Sequence, residues 1–154
     1  MLILSDSIAN KVHVLESLIE LTKKQGKLAR SGITDVREFD KILEEKGRQI
    51  DMLNMLDDGF TGIYDKVKEE LAINTEEYKE ELLQIRELIN TTTSLGTKLE
   101  GLEYENKMYI EAFFAGKKSE VKKFKKSKNM SESYAKNMVN KHLEQSSYFV
   151  DKKK

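Results

Sequence analysis

The sequence predicts an all-α protein: an elongated antiparallel bundle or coiled coil of three long helices, with a weaker, basic C-terminal helix. Three observations predict it. Proline is absent and glycine occurs only 8 times in 154 residues, so little punctuates the chain and long helices follow. Charged residues make up 35% of the chain, above the ~25% of ordinary domains. One seam of large side chains, from Phe39 to Leu71, keeps a 4-3 spacing without a slip, which is the pattern of coiled-coil packing.

The first helix is expected from Ser5 to Arg30. Ile8, Val12, Leu15 and Ile19 form one stripe, and Val14, Leu18, Leu21 and Leu28 a second beside it. Together they make an apolar face wide enough for two neighbours. Gly32 is placed to end this helix, and Thr34 or Asp35, with Glu38 in capping-box spacing, to start the next. The second helix carries the seam Phe39, Leu43, Lys46, Ile50, Leu53, Asp57, Phe60, Tyr64, Val67 and Leu71, interrupted by Lys46 and Asp57. Gly47, Gly59 and Gly62 weaken it, and a bend is expected near Asp57-Asp58-Gly59.

Asn74 with Glu77 predicts the third helix start. Its stripe is Tyr78, Leu82, Ile85, Leu88, Thr92, Leu95, Leu99, Leu102, Asn106, Tyr109 and Phe113, and the 3-3 step at Leu82, Ile85 and Leu88 predicts local overwinding. Asn106 on this seam is a candidate for fixing register, while Glu103, Glu105 and Lys107 read as surface charges. Ala115-Gly116 closes the segment. Beyond it, Val121, Phe124, Tyr134, Ala135 and Met138 predict a weak amphipathic helix to about His142, then a mobile end. The organisation expected is one domain, with a helical body over 1–116 and a basic helix and tail over 117–154.

Catalytic chemistry finds no foothold. The chain has no cysteine, which excludes disulfides, thiol catalysis and thiolate metal sites. Its two histidines, His13 and His142, stand at opposite ends of the sequence, and neither follows a glutamate at the Glu-x-x-His spacing of a di-iron bundle. Phosphate-loop, zinc-protease, nucleophile-elbow and EF-hand spacings are all missing. Glu44-Glu45, Asp57-Asp58 and Glu69-Glu70 read as solvated acids. No enzyme activity, cofactor or metal is expected. The opening MLILSDSIANK is too short in apolar residues for a signal peptide or a span, so a soluble protein without membrane insertion is expected, and the missing cysteines agree with a reducing cytoplasm.

Charge is the one large-scale asymmetry. The chain is neutral overall, yet residues 1–116 carry net −8 and residues 117–154 net +8. Seven lysines crowd into KKSEVKKFKKSK at 117–128. They supply a phosphate-binding footprint, and Phe124 a stacking ring. Yet no arginine follows Gly116 to read guanine or phosphate in bidentate fashion, and the acidic body repels a polyanion. An amphipathic helix whose ridge docks a partner, or a plain solvated face, fits the run better. A structural coiled-coil adaptor and, behind it, a nucleic-acid-associated protein are the alternatives, and the chain is expected to be a monomer or weak dimer.

Four stretches carry a resemblance: LEEKGRQIDMLNMLDDGF from Leu43, IYDKVKEEL from Ile63, LEGLEYENK from Leu99 and the terminal SSYFVDKKK. Together they resemble the FlgN-type flagellar export chaperones of Gram-positive anaerobes and, more loosely, the FliT type. The likeness runs from about Leu15 to the C-terminus, in helical patterns with a few characteristic words. It implies a small all-helical, non-enzymatic cytoplasmic protein that holds hook–filament junction proteins, masks their self-associating helical ends and delivers them to the type III export gate. It also implies that substrate binds the C-terminal region, here Tyr109, Phe113, Phe114, Val121, Phe124, Tyr134 and Met138.

Overall fold

The computed structural model describes residues 2–32, 36–115 and 117–151. Four long helices follow one another: α1 (Leu2–Ser31), α2 (Val36–Ile73), α3 (Lys79–Phe113) and α4 (Lys118–Asp151). No strand occurs among the described residues, so the chain is an all-α bundle. At 1.5 Å per residue, α2 is about 57 Å long. α1 packs along both α2 and α3, as its wide face predicts, and α4 packs along α3 and far less extensively along α2. The pairs α1/α4 and α2/α3 therefore lie across the bundle's diagonals.

The contacts fix the directions. Lys11 meets Asp57 and Gln25 meets Lys46, so α1 and α2 are antiparallel. Leu4 clusters with Ile85, Leu18 with Leu99 and Ala29 with Ile110, so α1 and α3 run parallel. Phe124 clusters with Ile110 and Met138 with Leu99, making α3 and α4 antiparallel. Asp40 pairs with Lys123, and Asp57 with Tyr134, so α2 and α4 also run parallel.

Each helix buries one heptad seam, and the polar residues in those seams decide their phase. On α1 it is Leu4, Ile8, Lys11, Leu15, Leu18, Thr22, Gln25 and Ala29. Val12, Val14, Leu21 and Leu28 of the expected stripes are only half-buried. On α2 Phe39, Lys46, Ile50, Leu53, Phe60 and Leu71 of the expected seam are buried, whereas Leu43, Asp57, Tyr64 and Val67 are half-buried and Ile42 is buried beside them. On α3 the seam is Leu82, Ile85, Ile89, Thr92, Gly96, Leu99, Glu103, Asn106 and Ile110. The expected 3-3 break is absent, because Ile89 and not Leu88 takes the next position. On α4, Phe124, Ser127, Ser131, Tyr134 and Met138 face inward.

Boundaries also differ from expectation. Gly32 does end α1, with φ +86°, a left-handed conformation that costs glycine nothing. The Thr34, Asp35 and Glu38 cap and the Gly116 terminus involve positions outside the described residues. α2 continues in one piece through Asp57-Asp58-Gly59. The Asn74/Glu77 box does not form: α3 starts at Lys79 with Tyr78 before it and no side-chain cap. Thr75 Oγ1 instead donates to the carbonyl oxygens of Leu71 and Ala72. α4 continues past His142 to Asp151. The threonine patch at 91–93 stays helical while its hydroxyls bond back to the preceding turn.

Apolar and polar layers alternate along the bundle. At one end Leu4, Ile8, Phe60, Leu71, Leu82, Ile85 and Ile89 cluster. The middle holds Leu15, Leu18, Ile19, Ile50, Leu53, Leu99, Tyr134 and Met138. The other end holds Ala29, Phe39, Ile110, Phe114 and Phe124. Between these blocks sit two polar layers, built on the two charges that interrupt the α2 seam.

Candidate docking surface

Lys46 anchors the first polar layer. Its Nζ donates to Glu103 Oε1 and, at 3.1 Å, to Gln25 Oε1. All three side chains are fully buried, which overturns the expectation that Glu103 is a surface charge. Desolvation lowers the Lys46 pKa from its usual value, and Glu103 opposes that shift. Glu103 Oε2 and Gln25 Nε2 find no partner. One turn along, Asn106 Nδ2 donates to the Thr22 carbonyl at 2.8 Å, so the buried seam asparagine does bridge α3 to α1.

Asp57 anchors the second layer. It accepts from Lys11 Nζ at 2.6 Å and from the Tyr134 hydroxyl at 2.7 Å. Lys11 also lies 5.7 Å from the centre of the Tyr134 ring. This group ties α4 to α1 and α2. Burial, and then the Asp57 charge, push the Tyr134 phenol far above its usual range. Neither layer holds a nucleophile beside a base. Among the described residues no group of three His, Cys, Asp or Glu side chains could hold a metal ion, and His13 is exposed on the outer face of α1.

The seven side chains assigned to partner binding divide. Phe114, Phe124, Tyr134 and Met138 are buried in the apolar blocks, and Val121 is half-buried against one of them. Their heptad phase puts them there, so in this arrangement they are packing residues rather than a free ridge. Tyr109 and Phe113 remain exposed, because Ile110 and Phe114 take the inward positions of that turn. Arg30 lies 5.8 Å from the centre of the Tyr109 ring. Phe124, enclosed between α3 and α2, has no face for a base to stack on.

An open surface lies elsewhere, between the parallel helices α2 and α4. The α2 wall is Asp40, Leu43, Glu44, Gly47, Ile50, Asn54 and Asp58, and the α4 wall is Lys123, Lys126, Met130, Ser133 and Asn137. The lining recurs every three or four residues, with Glu44 and Asp57 adjoining on α2 and Ser127, Tyr134 and Met138 on α4, so each wall is a continuous strip along its helix. The space comprises two adjoining grooves of about 330 Å³ and 360 Å³, sharing Ile50 and Met130. Leu43, Ile50 and Met130 give it an apolar floor. A Cβ at Gly47 would meet nothing within 4 Å. Beside it Asp40 Oδ1 and Ser127 Oγ are buried without hydrogen-bond partners.

Sequence reasoning missed this trough because Leu43 and Ile50 read as seam positions of α2, and the lysines 117–128 as a run on a separate helix. Only the parallel pairing brings them together. Two further exposed pairs, Tyr104 with Met108 on α3 and Met52 with Met55 on α2, stand on outer faces. No described helix is long and apolar enough to cross a membrane. Comparison with protein-family models, curated proteins and solved structures finds no match to this chain.

Proposed function

We propose that this chain is a non-catalytic escort protein, a cytoplasmic flagellar type III export chaperone of the FlgN kind. In this reading it holds hook–filament junction proteins, prevents their premature self-association and hands them to the export gate. The observation that carries it is the trough between α2 and α4: a strip at helical spacing, apolar at its floor and unfilled. Such a strip is what a client helix needs, since helix-in-groove recognition reads anchors at i, i+3, i+4 and i+7. The all-α fold, which the resemblance implies, is consistent with it.

The direct test is binding between the purified full-length chain and hook–filament junction proteins from the same cell. The expected result is a one-to-one complex that keeps the junction protein from polymerising. Failure to bind any junction protein, at concentrations where the chain is folded, overturns the export reading.

A further inference from the structure

We infer that the α2/α4 trough receives one amphipathic helix of about 18 residues, with acidic side chains along one flank and basic ones along the other. The inference deepens the escort reading and rests on its claim that the chain binds a helix. The length follows from the walls: Asp40 to Asp58 spans about 27 Å of helix, the length of an 18-residue partner. The apolar stripe follows from the floor of Leu43, Ile50 and Met130, and Gly47 leaves open space in the α2 wall for one bulky side chain.

The charges of the flanks follow from the walls' opposite signs at the Asp40 end, where α4 brings Lys123 and Lys126 and α2 brings Asp40 and Glu44; beyond Ile50 the acidic wall continues through Asp57 and Asp58. Glu44 and Asp58 stand exposed on the α2 side, and Lys126 on the α4 side, none of them in an ion pair among the described residues. Asp40 and Lys123 close on each other at 3.9 Å where the trough begins. A partner with acids on both flanks is repelled by α2, and one with lysines on both flanks by α4. A bipolar helix satisfies both walls best, and turning it end for end reverses its flanks. The site therefore sets orientation as well as choice of partner.

The test uses the full-length chain and three synthetic 18-residue helical peptides sharing one leucine stripe: one bipolar, one with glutamates on both flanks, one with lysines on both. Anisotropy titrations at low salt are expected to show the bipolar peptide binding at least tenfold tighter than either control. Gly47→Trp fills the open space and is expected to weaken it at least tenfold, whereas Gly47→Ala leaves it unchanged. Glu44→Lys or Lys126→Glu alone is expected to weaken binding severalfold, and a spin label on the peptide N-terminus to broaden signals at one end of the trough only. Equal binding of all three peptides, or binding indifferent to Gly47→Trp, overturns the inference. Bipolar-peptide binding without capture of any junction protein overturns the export reading and leaves the trough assigned. Capture indifferent to Gly47→Trp does the reverse.

Discussion

Gly26 and Gly47 look alike in the sequence, each a weak spot inside a long helix, but their surroundings differ. A Cβ on Gly26 would overlap Asn106 Oδ1 and lie 3.1 Å from its Cγ, whereas one on Gly47 would meet nothing within 4 Å. Gly47→Ala is therefore expected to stabilise the protein by about 0.5–1 kcal/mol through helix propensity alone. Gly26→Ala forces apart the α1/α3 contact that Asn106 bridges, and is expected to destabilise it by about 1–3 kcal/mol. Urea titrations of both variants measure the difference, and equal shifts would refute the close packing at Gly26. Tyr134 is testable by light absorption. Its phenol is held above the usual range by burial and by Asp57, so above pH 10 the unfolded chain ionises this ring while the folded one does not. That difference contributes stability below pH 10 that is lost as pH rises further. Of the 6 tyrosines, Tyr134 is expected to stay silent at 295 nm until the protein unfolds. Tyr134→Phe should remove that late phenolate signal and cost about 1–3 kcal/mol, because Asp57 loses a donor but keeps Lys11.

At the scale of the helix, the seams show why part of the fold was legible and part was not. The α2 pattern was readable because its large side chains outnumber the two interruptions, Lys46 and Asp57. The α1 seam was misread because Lys11, Thr22 and Gln25 occupy core positions, so neighbouring valines and leucines supplied a false stripe. The α3 seam was shifted for the same reason: Gly96 and Glu103 do not look like core, while Leu95 and Leu102 do. A polar core residue becomes intelligible only beside its partner on another helix, which periodicity within one helix does not reveal. The Lys46–Glu103–Gln25 layer makes the point energetically. Glu103→Leu strands a buried ammonium and is expected to cost about 3–5 kcal/mol, whereas replacing all three residues by Leu, Met and Leu is expected to be neutral or stabilising by about 1–4 kcal/mol. Denaturant unfolding of the two variants decides it, and a mild single variant would mean that Lys46 reaches water. With Lys46 lowered mainly by burial, the unfolded chain holds an extra proton between that lowered value and 10.5. Stability should therefore climb with pH in that window, and the climb should vanish in the triple variant.

Across the whole molecule, charge is divided so that a basic helix is seated on an acidic body. Residues 117–154 carry net +8 against net −8 for the rest, and Lys123 and Lys125 reach Asp40 and Glu111 at 3.9 Å and 3.7 Å. Single surface pairs of this kind contribute little, but fields of opposite sign over one long contact add. The apolar grip of α4 is modest by comparison. Its inward face includes Ser127 and Ser131, whose hydroxyls lack partners, and it touches α2 only sparingly. Hydrophobic burial is indifferent to moderate sodium chloride, whereas the attraction between helix and body is screened as the Debye length falls from about 30 Å at 0.01 M to about 3 Å at 1 M. Hydrogen exchange should separate the two. Raising sodium chloride from 0.02 to 0.5 M is expected to lower the opening free energy of α4 amides by about 1 kcal/mol while leaving those of α1 and the core of α3 in place. A uniform loss along all four helices would mean that α4 is locked in by packing alone. Loosening confined to α4 would show that the helix forming one wall of the trough is the one its own charges hold in position.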